Sequence, residues 1–385
     1  MIFKLPLFFV IFYLSVSLSS CSTSPTTSKE NKADHSALNI TYAKGFKVNN
    51  YDTYRKVSIT APWQKSNGVS FDYYLVDRTK QIPSELAGKN IIRTPVSRVI
   101  CLSTTHVGFV SALNEAPSIQ GISGAGYVSD SIVRQRVANK QIADIGYDQG
   151  INYELILSLK PDLIIAYGVG GDVTGFMNKL HDLGLPVVLN GEYLEETPLA
   201  KAEWIKFIGA FYGKDKQAEV YFENTANSYK SLSKRVSDVK THPVILTGLP
   251  FKDAWWMAGG RSNLAALIKD AGGEFLWKDN SSHEAFVVSL EEVVVRSAKA
   301  DYWLNCGSAN TIQDIISTDS RFSAFPQVQK KAIFNNNLRI GPEGGNDYWE
   351  LGVVRPDLIL SDLIKIFHPE CDSSAHFNFY KQVIN

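Results

Sequence analysis

Net charge is the first thing this chain lacks. Its 39 lysines and arginines balance 39 aspartates and glutamates over 385 residues. A nucleic-acid binder would carry a basic surplus, and steering by a strong overall field is excluded for the same reason, although local patches are not. Cysteine is scarce, with four in all. Cys21 has a separate role, described below, and Cys101, Cys306 and Cys371 remain. Cys101 and Cys306 fall in predicted buried strands of different halves, and an odd remainder in an exported chain leaves a free thiol. Neither a disulfide framework nor a cysteine metal site is expected. The seven histidines are scattered, without the converging ligands that direct capture of a metal ion would need. There is no nucleophile elbow and no His-Glu-x-x-His run. Nothing marks the chain as an enzyme, and no resident cofactor is expected. Gly168-Val169-Gly170-Gly171 lacks the spacing and following helix of a dinucleotide fingerprint.

What the chain does have is apolar residues in quantity, 44% hydrophobic and 11% aromatic. That supports sizeable cores, and the length suggests two domains. Residues 1–20 read as a targeting segment: Lys4 is the only charge and Leu5 to Val16 is an apolar run. Leu18-Ser19-Ser20-Cys21 then matches the lipobox of bacterial lipoproteins, which makes Cys21 the lipidated residue and places the chain on the periplasmic side of a bacterial membrane. Such an anchor needs several acyl groups, because one chain binds only marginally. Residues 21–43 are predicted to be a flexible polar tether.

One element occurs twice. Asn152-Tyr153-Glu154 opens a short helix that ends at Lys160-Pro161-Asp162, followed by the apolar run Leu163-Ile164-Ile165-Ala166. Ser289-Leu290-Glu291 opens another that ends at Ala300-Asp301, followed by Tyr302-Trp303-Leu304. Each begins with a good N-cap residue, has a glutamate two positions on, and leads into a strand too apolar to be half-exposed. The repeat predicts an α/β fold of two parallel-sheet lobes with a cleft between them. The N-terminal lobe, 44–198, begins with a hairpin over 44–93. Residues 199–238 carry almost no strand signal and read as a helical connector, interrupted at Gly213. The C-terminal lobe is 239–385.

These pieces resemble the substrate-binding proteins of ABC importers for iron–siderophore complexes, haem and cobalamin. The resemblance spans roughly 92–368 and rests on the order of several short motifs. They include Ser97-Arg98-Val99-Ile100-Cys101-Leu102-Ser103, Leu159-Lys160-Pro161-Asp162-Leu163-Ile164, Leu183-Gly184-Leu185-Pro186-Val187-Val188, Ala271-Gly272-Gly273 and Val288-Ser289-Leu290-Glu291. It implies one rigid connecting helix, little opening and closing, and an exposed glutamate on each lobe that docks on arginines of the permease. Glu154 and Glu291 match those positions. The second helix is longer before its Asp, so Glu292 is the alternative. The implied partners are the permease, its ATPase subunits and a metal chelate, with ferric siderophore ahead of cobalamin and haem. The chain is expected to act as a monomer. The bland reading of either glutamate is stabilisation of a helix N-terminus.

Ligands of open α/β sheets sit beyond the C-terminal strand ends. His106, Tyr127, Trp255, Trp256, Arg261, Tyr348 and Trp349 fall there and are the candidate ligand contacts. Glycines beside the aromatics suit a bulky guest. Neighbours on a strand alternate, so one of Trp255 and Trp256 should face the core. Tyr348 and Trp349 could instead pack on the last helix, and His106 could simply cap its own.

Overall fold

Short apolar runs alternating with helices build two parallel sheets in the computed structural model, which describes residues 38–147, 150–168, 173–252, 254–371 and 376–385. The targeting segment, Cys21 and the centre of the 168–171 glycine loop lie outside the described residues. The chain first forms β1 (Phe46–Asn50), β2 (Arg55–Thr60), β3 (Ser70–Asp77) and β4 (Ile91–Thr94). In the first lobe come β5 (Val99–Cys101), α1 (Thr104–Ala112), β6 (Ile119–Ile122), α2 (Ser131–Ala138), β7 (Ala143–Asp144), α3 (Tyr153–Leu159), β8 (Leu163–Ala166), α4 (Val173–Asp182) and β9 (Val187–Leu189). Two helices follow, α5 (Pro198–Tyr212) and α6 (Asp215–Arg235). The second lobe has β10 (Val244–Thr247), β11 (Trp255–Met257), α7 (Asn263–Asp270), β12 (Glu274–Phe275), β13 (Phe286–Val288), α8 (Leu290–Ser297) and β14 (Tyr302–Leu304). It continues through α9 (Ile312–Thr318), α10 (Pro326–Gln329), β15 (Ile333–Asn335), α11 (Asp347–Val354), α12 (Pro356–Phe367) and β16 (Lys381–Gln382).

The first lobe's sheet has the order β7-β6-β5-β8-β9, all parallel. The second has the order β12-β10-β14-β15-β16, parallel except for its last pair. Every residue of β5 and β8 is buried, as expected of a sheet covered by helices on both faces. Local chemistry fixes the helix starts. Ser103, Asp130, Asn152 and Ser289 each accept a backbone N–H with the side chain, opening α1, α2, α3 and α8.

Three sequence expectations are corrected. The N-terminal hairpin is a four-stranded sheet, β1-β2-β3-β4. The tether does not reach residue 43: the buried Glu203 carboxylate accepts N–H bonds from Thr41, Tyr42 and Ala43 at 2.9, 2.6 and 2.8 Å. Its charge is matched by Lys206 at 2.8 Å. The connector is two helices rather than the single one the resemblance implies: the break read at Gly213 is where α5 ends, in the left-handed region at φ 65°, where glycine has no Cβ to clash. Of the 15 residues of α5, 14 are buried, which makes it a core helix. Phe46 of β1 packs on Trp204 and Phe207 at 4.8 and 5.5 Å, while α1, α11 and α12 contact α5 from the lobes.

The lobes are joined firmly. Helix α1 lies against α11, with Gly108 so close that a Cβ there would collide with the carbonyl oxygen of Glu350 and lie 2.9 Å from its carbon. The Glu350 side chain reaches the other way and accepts the N–H groups of Ser129 and Asp130 at 2.7 Å each.

Candidate functional site: an amide-lined cleft between the lobes

The C-terminal ends of β5, β6, β14 and β15 face one another across a cavity of about 770 Å³. The first lobe contributes Thr104 and Tyr127; the second contributes Trp349 and a group of asparagines, Asn305, Asn310, Asn336, Asn337 and Asn346. Internal hydrogen bonds hold these amides in place. Tyr380 donates to Asn305 Oδ1 at 2.8 Å, Asn346 Nδ2 donates to the Asn336 carbonyl at 3.0 Å, and Asn337 Nδ2 donates to the Ala309 carbonyl at 3.1 Å. Lys381 is the one charged residue among the described lining, and its ammonium donates to Asn310 Oδ1 at 2.9 Å. Tyr127 and Trp349 are half-exposed, at 50% and 55%, so both rings are available to a guest. Leu338 and Ile340 add apolar surface. The described wall carries one cation and no anion, is rich in donors and acceptors, and is flanked by two aromatic faces. Among the described residues there is no group of three or more acidic, histidine or cysteine side chains placed to hold a metal ion.

Of the expected contacts, Tyr127 and Trp349 line this cavity and the others do not. His106 is buried in α1, at 1% exposure. Burial pushes its pKa down to about 3, which keeps the imidazole neutral. Trp255 is also in the core, against Trp303 and Phe322 at 6.0 and 5.7 Å, and its Nε1 donates to the Thr247 carbonyl. Alternation therefore sends Trp256 outward, onto an antiparallel ribbon opposite Val287, outside the described lining of the large cavity. Tyr348 is buried and packs edge-on against Phe379 and Tyr380. Arg261 has a partner: its guanidinium donates to both carboxylate oxygens of Glu196, at 3.1 and 2.9 Å. That pair neutralises the cation intended for an anionic ligand. The asparagines were missed, although Asn335-Asn336-Asn337 directly after an apolar strand was a readable signal at a strand's C-terminal end.

The two repeated glutamates stand in matching places. Glu154 and Glu291 lie in the first turns of α3 and α8. Both helices lead into a parallel strand, so they run back along the sheet and start at the cleft-facing strand ends. Both carboxylates are exposed. Glu291 is 77% exposed, with Arg321 no closer than 3.6 Å. Glu292 is engaged by Arg296 at 3.0 Å and by the indole N–H of Trp277 at 3.3 Å, which leaves Glu291 as the more available of the two.

Residues 99–336 match the family model described as "Periplasmic binding protein". The chain is similar to uncharacterized lipoprotein MJ0878 of Methanocaldococcus jannaschii, 27% identical over 342 residues, covering 84% of this chain and 77% of that one. Among solved structures it is similar to a periplasmic heme binding protein from Pseudomonas aeruginosa, with TM-score 0.56, 15% identity, and 72% and 94% of the two chains covered. It is also similar to a protein of the ABC-type Fe3+-hydroxamate transport system of Saccharomonospora viridis, with TM-score 0.52, 18% identity, and 71% and 94% covered. With two parallel-sheet lobes, a cleft at their strand ends and a model match over most of its length, the chain belongs to the periplasmic binding protein family.

Proposed function

We propose that this chain is the lipid-anchored binding component of an ABC importer and that it carries an uncharged metal chelate, a ferric hydroxamate first of all. The observation that carries the choice is the amide-rich lining of the large cavity, in which Lys381 is the one charged residue among those described and donates to the Asn310 amide oxygen. A ferric tris-catecholate, with three negative charges, or a haem with two propionates would bring more anionic charge than the single Lys381 matches, and burying unpaired charge is costly. A trihydroxamate complex of iron is neutral and presents carbonyl oxygens and apolar arms, which suit asparagine donors and the faces of Tyr127 and Trp349. Cobalamin is the second reading, favoured by the same amides, because its periphery carries amide groups that can pair with them. The similarity to a protein of an Fe3+-hydroxamate transport system and to a heme binding protein supports a metal-chelate cargo in general.

In this reading Cys21 carries the lipid, in line with the lipoprotein name of a relative. Glu154 and Glu291 dock on the permease, whose ATPase subunits drive entry, and the chain itself does no chemistry. Native mass spectrometry and visible absorption of residues 22–385 against ferrichrome, ferric enterobactin, haemin and cyanocobalamin should show ferrichrome or cyanocobalamin retained and the two anionic ligands not. Tight retention of ferric enterobactin or haemin would overturn the neutral-cargo reading. The double variant Glu154→Arg, Glu291→Arg should lose uptake in cells while keeping ligand affinity; loss of affinity would show that the glutamates belong to the binding site rather than to docking.

A further inference from the structure

The seam between the lobes contains an unusual concentration of polar atoms without partners. Asn190 and Glu192 follow the end of β9 and are 0% and 4% exposed. Both amide atoms of Asn190 and the Oε2 of Glu192 have no hydrogen-bond partner among the described residues. Facing Glu192 is Lys201, in the first turn of α5. The two attract each other electrostatically, yet no hydrogen bond or ion pair joins the Lys201 ammonium to another described group. Lys201 borders a narrow crevice of about 40 Å³ together with Asn263 of α7, whose Nδ2 is likewise buried and unpartnered. Trp349 borders both this crevice and the large cavity.

Buried polar groups are almost always hydrogen-bonded, and each exception calls for an explanation. Of the two donors bordering the crevice, the Asn263 amide nitrogen is buried and without a partner, while Lys201 is only partly buried; what the pair can take is an acceptor. We propose that Lys201 and Asn263 form a subsite that receives an acceptor oxygen, carbonyl or carboxylate, at the tip of one arm of the ligand, passed over the Trp349 indole from the main cavity. The volume sets the scale: about 40 Å³ admits a terminal group or one or two waters, never a whole chelate. Glu192 and Asn190 act behind Lys201, as a counter-charge and a positioning amide. Burial raises the pKa of Glu192 to about 7, so its negative charge only partly offsets the lysine.

Only the identity of the arm rests on the chelate reading, and the test separates the two. In the first arm, the protein of residues 22–385 is followed by 15N NMR of the Lys201 ammonium and the Asn263 amide. It is titrated with acetohydroxamate and acetamide as carbonyl probes, acetate as the carboxylate probe and methylammonium as a donor-only control. Saturable shifts of both signals with either class of acceptor, absent with methylammonium, are expected, and in Asn263→Ala the remaining Lys201 signal should no longer shift; the class giving the larger shift names the oxygen. No shift with any acceptor, with the groups remaining hydrated by water alone, would overturn the subsite. In the second arm, Lys201→Met should weaken ferrichrome or cyanocobalamin binding by about 10- to 100-fold, the cost of one hydrogen bond to a charged group, with Lys201→Arg recovering part of it. Unchanged affinity in Lys201→Met would also refute the proposal. Should neither chelate bind, the cargo reading fails while the NMR titration still decides the subsite.

Discussion

Gly108 is one of the places where the two lobes meet at backbone distance, and replacing it tests whether that closeness matters. In Gly108→Ala the added methyl would collide with the carbonyl oxygen of Glu350 and sit 2.9 Å from its carbon. Both are backbone atoms of α11, so no side chain can rotate out of the way. For the carbon pair alone to reach an ordinary 3.5 Å separation, the helices must part by about 0.6 Å. Overpacking of this kind costs about 1–3 kcal/mol. Alanine gains up to about 1 kcal/mol over glycine in helix propensity, so the net loss should be on the order of 1–2 kcal/mol. The shift also acts on function: the Glu350 carboxylate sits on the same residue and reaches Ser129 and Asp130 in the other lobe, so parting α1 from α11 stretches those bonds and widens the cleft. Urea unfolding of residues 22–385 should show a lower midpoint with unchanged slope, and ligand affinity should fall alongside. If the variant proves as stable as the parent, or more stable, then propensity outweighs the contact and the seam is softer than its geometry implies.

Stability should fall as pH rises from about 4.5 to 7. Burial raises Glu192 and Glu350 to about 7, above the ordinary carboxylate value, so the folded chain holds two protons that the unfolded chain has released. The stabilisation they contribute is complete below the unfolded pKa and is lost as pH passes through the folded one, up to on the order of 3 kcal/mol for each. Glu192→Gln should flatten this slope and be more stable than the parent at pH 8; a steeper slope in urea titrations across this range would contradict the assignment. In native protein lacking residues 1–21, a thiol reagent should modify Cys371 and spare Cys101 and Cys306, which are fully buried and whose pKa values burial drives up; rapid labelling of three thiols would show a looser core. Glu203→Ala should cost about 3–5 kcal/mol, since it strands the buried Lys206 ammonium and frees the backbone of Thr41 to Ala43; near-neutral thermal unfolding would mean that this segment is not tied down.

The sequence was most informative where periodicity and burial agree. Leu163-Ile164-Ile165-Ala166 and Tyr302-Trp303-Leu304 are the β8 and β14 strands, and their preceding caps at Asn152 and Ser289 open helices as expected. Strand alternation also separated Trp255 from Trp256. Legibility declined where a residue's role depends on distant partners. Nothing local to Glu203 shows that it will bind a segment some 160 positions earlier, so Asn39 to Ala43 read as tether. Arg261 looked like an unpaired cation because Glu196 is 65 positions away. His106 and Tyr348 sit at strand ends, where ligands bind, but their rings turn inward and fill space between elements. Asparagines carry no periodic signal, so although the Asn335-Asn336-Asn337 run was readable, its meeting with Asn305 and Asn310 shows only once β14 and β15 lie side by side.

The tightness of the seam bears on how such a chain can work. A carrier that signalled its loaded state by a wide swing of two lobes would need a junction able to part. This junction consists of α1 on α11 at glycine distance, two backbone N–H groups on Glu350, the Arg261–Glu196 pair, and a nearly fully buried α5 packed between the N-terminal sheet and both lobes. Opening it would expose that apolar helix and leave Glu350 without its partners, at several kcal/mol. The separation of Glu154 and Glu291 is therefore set largely by the fold, loaded or empty, so a permease reading the spacing of those two carboxylates could dock either form with similar affinity. Discrimination would then fall to the exposed rings of Tyr127 and Trp349, which a guest in the cavity they line would cover.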